Sequence, residues 1–362
     1  GIRMHSGYGM TESTGGITMT PTGKYIENSV GIALPGIQLK IEDDGELRIK
    51  GSYVSKGYYK ETDSKYFNQG WFYTGDIFEK RNDHFFIVDR KKDIYKNSKG
   101  QTISPQKIEN LFQDFDSIKS VFLVGDGREF NTLLIYPDKK NSPIDLSSIS
   151  DQKIRDIFSS MILSVNNFLA PFERIINYVI INRDFESKKG ELTPKGTYIR
   201  KKVLKNFEKI ISPLYEKNYV SLHHNNKEIR FPNWLLREIG TIKSYLKWNG
   251  KIVTIKNHTN HLILSWDNNI IQLGNFVYTF DKYILDIEKL IKSPAHWLGN
   301  INFSNFTGSS IFRLKTAEFD KTLVVNRPNY NILKNEINDN QSNEYLFILH
   351  SLVQKFLIED HN

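Results

Sequence analysis

Cysteine is absent from the 362 residues of this chain. Disulfides, zinc–thiolate clusters, iron–sulfur ligation and cysteine nucleophiles are thereby excluded. Also missing are any run of about 18 apolar residues and any amino-terminal signal pattern, so the chain reads as cytoplasmic. Charge of one sign is not concentrated either: 49 Lys and Arg stand against 41 Asp and Glu, a net of +8. That excess suits anionic ligands, but the basic residues are interspersed with acids rather than collected in a stripe, which indicates no nucleic-acid partner. What is present is 39% hydrophobic, 25% charged and 13% aromatic residues, the balance of a folded protein. At roughly 100–200 residues per domain, the length implies about two to three domains.

The first 90 residues read as short strands and loops. Gln38–Ile41 and Glu46–Ile49 alternate apolar and polar positions on either side of Asp44-Gly45, a strong hairpin signal. Trp71–Tyr73 and Phe85–Val88 are two further strand-like runs. From Ser104 the pattern changes. Ser104-Pro105 predicts a capped helix with Pro at its first position, carried by Ile108, Leu111 and Phe112. Val121–Val124 and Leu133–Tyr136 are strand-like around Gly125-Asp126-Gly127. A long helix is predicted from Ser150, with Ile154, Ile157, Phe158, Met161 and Val165 on one stripe. Ile175–Ile181 reads as a buried strand and Arg200–Ile211 as a last helix, which makes residues 91–212 a small α/β module.

Asparagine rises from 12 in residues 1–210 to 21 in residues 211–362, so the carboxyl-terminal third is a differently biased unit. Pro213 and the polar run His223–Lys227 read as its linker. Strands are predicted at Lys251–Ile255, Leu262–Trp266, Ile270–Leu273 and Phe276–Phe280, with a short helix near Tyr283–Ile291 and a helical end at Tyr345–Leu357. No repeat is evident there. His258 and His261 form a pair in a polar loop without a third ligand at metal-site spacing, so no metal is expected at them.

Three constellations carry chemistry. In Ser6–Ser13, Gly7 and Gly9 let the backbone approach a ligand, the Tyr8 ring can lie against a planar base, and Thr11 and Glu12 supply a hydroxyl and a carboxylate suited to phosphate oxygens and Mg²⁺. A Gly-rich turn with incidental polar residues would look the same. Gly70–Asp76 ends an aromatic strand on a carboxylate, which can accept from both hydroxyls of a ribose or merely cap a turn. Val88–Ile94, followed by Ser98–Pro105, is a charge run of the kind that is ordinarily a solvated loop.

Order and spacing join these pieces. Tyr-Gly-Met-Thr-Glu at 8–12, Gly-Glu-Leu-Arg-Ile-Lys-Gly at 45–51, Tyr-Thr-Gly-Asp at 73–76, Asp-Arg-Lys-Lys-Asp at 89–93 and Gly-Glu-Leu-Thr-Pro at 190–194 resemble the adenylate-forming (AMP-binding) superfamily. That superfamily comprises acyl-CoA synthetases, luciferases and peptide-synthetase adenylation domains, and the last two motifs look most like long-chain fatty acyl-CoA ligases. The resemblance covers residues 1 to about 212. It implies an α/β fold with residues 1–89 as the carboxyl-terminal part of the large AMP-binding domain and 90–212 as a small mobile α/β lid; residues 213–362, beyond the resemblance, are expected to form an accessory α+β module without a motif. By the same resemblance Tyr8 stacks on adenine beside Gly9, Thr11 contacts the phosphates, and Glu12 ligates Mg²⁺. Asp76 holds the ribose hydroxyls with Arg90 beside it, Lys92 is the hinge, and Gly100 lines the entrance for the thiol arm.

Two departures stand out. The phosphate loop and most of the acyl pocket of the family lie upstream of Tyr-Gly-Met-Thr-Glu, so the chain is expected to be the later part of a longer enzyme and inactive alone. The family also places a Lys three residues after Leu-Thr-Pro, where this chain has Thr197. Lys195, two residues earlier, is the candidate replacement, or else a solvated surface lysine. The leading expectation is an ATP- and Mg²⁺-dependent ligase joining a long-chain fatty acid to CoA, with peripheral membrane contact through the lipid substrate. One alternative puts an acyl carrier protein in place of CoA. Another is a nucleotide-binding remnant or scaffold that no longer catalyses.

Overall fold

The computed structural model describes residues 4–60, 66–256, 258–279, 283–308, 311 and 324–326. They form a mixed α/β fold with many strands and few, short helices. The chain divides into two compact units that interleave along the sequence. One comprises Gly1–Glu129, Leu133–Leu146 and Val179–Glu208; the other comprises Phe130–Thr132, Ser147–Tyr178 and Lys209–Asn362.

In the first unit, β1 (Gly7–Met10), β2 (Gly15–Met19) and β3 (Ile32–Ala33) form one antiparallel sheet. A second sheet is built from β4 (Ile37–Ile41), β5 (Glu46–Gly51), β6 (Phe67–Asn68), β7 (Trp71–Arg81) and β8 (His84–Arg90). The Asp44-Gly45 hairpin is present as expected, with Leu39 opposite Ile49 and Gly45 at φ 84°. Inward positions of these strands, Ile17, Leu47, Ile49, Phe72 and Phe78, are at most 2% exposed and make the local core.

After β8 come β9 (Tyr95–Lys96) and β10 (Thr102–Ile103), a small hairpin, and then α1 (Pro105–Asn110). Helix α1 starts at Pro105 as predicted, but the Ser104 side chain does not cap it. The cap comes from Asp89, whose Oδ2 accepts from the Gln106 backbone N–H at 2.9 Å and from the Ser104 hydroxyl at 2.7 Å. Leu111 lies just past the helix end and is 38% exposed, so only Ile108 and Phe112 of the expected trio are buried. β11 (Ile118–Val124), β12 (Asn131–Pro137) and β13 (Ile175–Ile180) make a three-stranded sheet in that order.

The helix predicted from Ser150 is α2 (Asp151–Asn166), with the Ser150 hydroxyl accepting from the Lys153 N–H. Its buried face runs through Phe158, Ile162 and Val165, one step round from the expected stripe. The expected single helix over 200–211 is broken. α3 (Arg200–Asn206) stops because Phe207 leaves the helical region (φ −103°, ψ 10°) to bury its ring under the Arg183 guanidinium, 4.4 Å away. Glu208–Ile211 then makes a separate short turn.

The second unit overturns the linker reading. His223–Lys227 is the tip of a hairpin in which Tyr219–His224 pairs with Lys227–Pro232, and Asn225 takes the positive φ that the tight turn requires. Ile284–Asp286 adds to this sheet in parallel. A six-stranded sheet follows, made of Leu246–Trp248, Ile252–Ile255, Leu262–Asp267, Ile270–Leu273, Phe276–Thr279 and Val324–Asn326. The predicted helix near 283 begins at Ile287, capped by the Asp286 carboxylate. Helices Asn233–Ile239 and Ile301–Thr307 carry no clear periodic signal in the sequence. Phe231, Leu235, Val253, Leu264, Tyr278 and Phe303 are in its core. The helical end predicted at Tyr345–Leu357 lies outside the described residues.

Candidate nucleotide site

A break in strand regularity positions the central carboxylate. Arg48 pairs with Tyr73 and Glu46 with Ile77, so Thr74, Gly75 and Asp76 stand opposite Leu47 alone and β7 carries two extra residues as a bulge against β5. Gly75 sits at φ 71°, a region costly for any residue with a Cβ. The ladder bonds lost to the bulge are replaced by side chains. Thr74 Oγ1 donates to the Leu47 carbonyl at 2.7 Å and accepts from the Asp76 N–H at 3.2 Å. Glu46 Oε1 accepts from the Gly75 N–H at 3.0 Å. Across the next strand pair, Asp76 faces Arg90.

The result is a cleft of about 550 Å³ whose wall includes Tyr8, Asp76, Asp89, Arg90, Thr197 and Arg200. The Tyr8 hydroxyl donates to Asp76 Oδ2 at 2.6 Å, and Arg90 Nε stands 3.6 Å from Asp76 Oδ1. The Tyr8 ring meets Phe78 edge-on at 4.9 Å. Burial raises the Asp76 carboxyl above the ordinary aspartate range, opposed by the Tyr8 hydroxyl and by Arg90. Burial and the Asp76 charge push the Tyr8 phenol strongly upward, so its proton stays on Tyr8. The cleft therefore holds a half-buried, oriented acceptor beside an aromatic ring and a guanidinium, which suits a polyol joined to a planar base and an anion.

Tyr8, Asp76 and Arg90 thus come together. The other candidates lie elsewhere. Gly9 pairs with Gly16 at a bulge, and a Cβ there would lie 2.2 Å from the Gly15 carbonyl oxygen, so close approach of two strands accounts for this glycine. Thr11 is exposed on the 3-10 turn Thr11–Ser13. Glu12 on the same turn accepts from the Tyr58 hydroxyl at 2.7 Å. Neither lines the cleft. Glu12 is a lone carboxylate, and no group of three or more metal-ligating side chains occurs among the described residues. One carboxylate fits Mg²⁺, which is ordinarily held by one or two carboxylates plus substrate phosphates and water.

Lys92 is exposed in the turn after β8. Its neighbour Lys91, which gave no separate signal in sequence, is the tethered one, with Nζ 2.6 Å from Asp44 and 2.7 Å from Glu46. Gly100 closes the β9–β10 turn at φ 77°, with open space where a Cβ would stand. Lys195 is exposed and does not line the cleft, whereas Gly196 and Thr197 do. The Thr197 hydroxyl is shared with Thr193 Oγ1 at 2.7 Å.

Two buried ion pairs were also not legible as such. Glu109 pairs with Arg200 at 2.9 Å and accepts from the Leu123 N–H at 2.7 Å; burial pushes its carboxyl up to about 7 despite both partners. Glu191, of the Gly-Glu-Leu-Thr-Pro motif, takes both Arg183 Nη atoms, at 2.6 and 2.9 Å, and is held down at about 2 by that hydrogen bonding. Together they fasten the loop carrying Thr197 at both ends.

Residues 1–59 match the family model described as AMP-binding enzyme, and residues 92–219 match the one described as AMP-binding enzyme C-terminal domain. The chain is 30% identical over 233 residues to Long-chain-fatty-acid–CoA ligase FadD15 of Mycobacterium tuberculosis, covering 60% of this chain and 39% of that protein. It is 29% identical over 243 residues to human Long-chain-fatty-acid–CoA ligase 6, covering 59% and 35%. The chain thus spans well under half the length of these relatives. Among solved structures, the adenylation domain of a carboxylate reductase from Mycobacterium chelonae superposes with a TM-score of 0.51 at 22% identity, over 59% of this chain and 35% of that one, which shows the shared fold. Neither family model extends past residue 219.

Proposed function

This chain belongs, through residues 1–219, to the AMP-binding enzyme family, and from that premise we propose that it carries the nucleotide-handling wall and lid of an ATP-dependent acid–thiol ligase for long-chain fatty acids. The single observation that carries the reading is the Tyr8–Asp76–Arg90 group in one cleft. In this reading Asp76 accepts from the ribose hydroxyls, the Tyr8 ring lies against adenine, and Arg90 faces the nucleotide's negative charge. The Thr11 hydroxyl donates to phosphate oxygens and Glu12 holds Mg²⁺, which when bound neutralises phosphate charge. A fatty carboxylate oxygen attacks the α-phosphorus and pyrophosphate leaves. A thiol sulfur then attacks the acyl carbon, giving the thioester and AMP. Stabilising the charge that builds at the phosphorus is the protein's main task, which a set of donors and cations performs without covalent help. Residues 90–212 act as the lid, with Lys92 at its hinge and Gly100 beside the thiol entrance. The reading keeps the reaction in the cytoplasm, a compartment that supplies both ATP and CoA. The relatives named as CoA ligases favour CoA over a carrier protein as acceptor.

A second reading, a nucleotide-binding protein without adenylating activity, is favoured by Thr197, whose hydroxyl is already bonded to Thr193. No helix among the described residues is long and apolar enough to cross a membrane, so contact with lipid substrate would be peripheral. Calorimetry on the chain tests the site. Asp76→Ala should bind ATP about tenfold more weakly or worse, since buried ribose hydroxyls lose their acceptor at about 1–3 kcal/mol. Equal affinity would reduce Asp76 to a turn residue. Fatty-acid-dependent pyrophosphate exchange by the complete gene product separates the two readings: activity lost in Lys195→Ala supports the ligase with Lys195 as its cation, and no exchange in wild type supports the second.

A further inference from the structure

Asp76 is the one carboxylate in the cleft bonded directly to a phenol. Its Oδ2 receives the Tyr8 hydroxyl at 2.6 Å from a residue 68 positions away on another sheet. Its peptide is fixed by Thr74, which bonds both the Asp76 N–H and the neighbouring strand. The bulge at Thr74–Asp76 frees Asp76 from pairing with β5 while it stays opposite Arg90 on β8, so its carboxylate is aimed from the β8 side and by the Tyr8 hydroxyl. Tyr8 is held from its own side, its ring against Phe78 and its N–H on Thr18 Oγ1 at 3.2 Å.

We infer that the Tyr8 hydroxyl is a positioning group for Asp76: it occupies one lone pair of Oδ2, keeps the carboxylate ionised inside the cleft, and presents the remaining lone pairs to a vicinal diol. This rests on the nucleotide reading above and deepens it, because it makes Tyr8 a determinant of ribose over 2′-deoxyribose as well as a surface for the base. A carboxylate has about four acceptor directions. With Oδ2 partly engaged and Oδ1 beside Arg90, the directions left free accept from two adjacent hydroxyls together, whereas a 2′-deoxy sugar leaves one of them unused in a partly buried site.

The groups that set the charge of Asp76 are few. Tyr8 on β1, Arg90 on β8 and Lys92 in the following turn favour the carboxylate; Asp89 on β8 and burial oppose it. Glu46 on β5 is taken up by Lys91 and the Gly75 N–H. Removing the phenol hydroxyl therefore moves Asp76 further up, since one of its stabilising donors goes while burial stays.

Tyr8→Phe keeps the ring and deletes only the hydroxyl. The Asp76 carboxyl resonance should titrate at a higher pH in Tyr8→Phe than in wild type, with Asp76→Asn serving to assign the signal. ATP binding by calorimetry should weaken about tenfold, 2′-deoxy-ATP should weaken less, and the preference between them should collapse toward one. As pH falls, ATP binding should be lost at a higher pH in the variant, because the carboxylate is protonated sooner. The same titration midpoint in both proteins, or an unchanged ATP to 2′-deoxy-ATP ratio, overturns the positioning role. A wild-type chain that binds neither nucleotide while the midpoint still moves overturns the nucleotide reading instead and upholds the Tyr8–Asp76 coupling.

Discussion

In the unit that holds the cleft, strand pairs slip register at Tyr8/Gly9, Glu46/Arg48 and Ile77/Phe78. In the other unit the described pairs, from Tyr219–His224 with Lys227–Pro232 to Ile270–Leu273 with Phe276–Thr279, run without a shift. Buried carboxylates divide the same way, although the buried Arg237 lies in the second unit. Glu46, Asp89, Glu109 and Glu191, the buried carboxylates among the described residues, all lie in the first unit. Regular ladders and an apolar core are the lower-energy choice, so the bulges and buried acids mark where geometry has been specified for something other than stability. The regular unit, which the family models cover only in its stretches up to residue 219, reads as a stability-first module.

The largest effect expected from a single change tests that division. Phe303 is fully buried in the regular unit, on helix Ile301–Thr307. Phe303→Ala should cost about 3–5 kcal/mol through lost burial and the cavity left behind, measured by denaturant unfolding followed through tryptophan fluorescence. ATP affinity should stay at the wild-type value under native conditions. A large fall in affinity would break the division of labour, because it would tie the regular core to the cleft.

A smaller and pH-dependent effect belongs to the buried acids. Glu191 has a folded pKa near 2, depressed by Arg183 from 4.5. A depressed carboxylate contributes stability that is present above about 4.5 and lost as pH falls through about 2. That shift corresponds to about 3 kcal/mol. Glu191→Gln should therefore flatten the acid limb of the stability curve in that window and lower stability at neutral pH. Glu109 has the opposite sign: its pKa is raised to about 7, so its contribution is full below about 4.5 and lost as pH rises through about 7. An acid limb that is unchanged in Glu191→Gln would remove the ion pair from the account.

Local signals are legible in the sequence and distant ones are not, for a physical reason. The Asp44-Gly45 turn, the Ser150 cap and the strands around Phe72 and Phe86 are decided by neighbours within a few residues, and periodicity reports such neighbours. Glu109 and Arg200 are 91 positions apart and Tyr8 and Asp76 are 68 apart, distances over which periodicity says nothing. The motifs did single out Tyr8, Asp76 and Arg90 as chemistry, but Gly9 was read as making room for a ligand when it makes room for Gly15. His223–Lys227 resembles a linker in sequence because polarity alone does not separate a linker from a two-residue hairpin tip. The single helix over 200–211 failed because a buried aromatic, Phe207, outweighed helical continuity.

The smallest effect sharpens the comparison most. Gly75 lies at φ 71° inside the bulge, and a Cβ there would meet nothing within 4 Å. Its replacement costs backbone strain alone, about 1–2 kcal/mol. Gly274, at φ 58° in a hairpin of the regular unit, is different: a Cβ would stand 2.6 Å from Asn300 Oδ1 and 2.7 Å from Asn302 Cβ, so strain and a clash add. Gly274→Ala should therefore lose more stability than Gly75→Ala by thermal unfolding. The order should invert for ATP binding. The strain at residue 75 is relieved by relaxing the bulge that places Asp76 beside Tyr8, whereas nothing at residue 274 belongs to the cleft. Gly75→Ala should then bind ATP several-fold more weakly while remaining folded. Wild-type affinity in Gly75→Ala would mean that Tyr8 and Arg90 alone aim the carboxylate and that the bulge is dispensable.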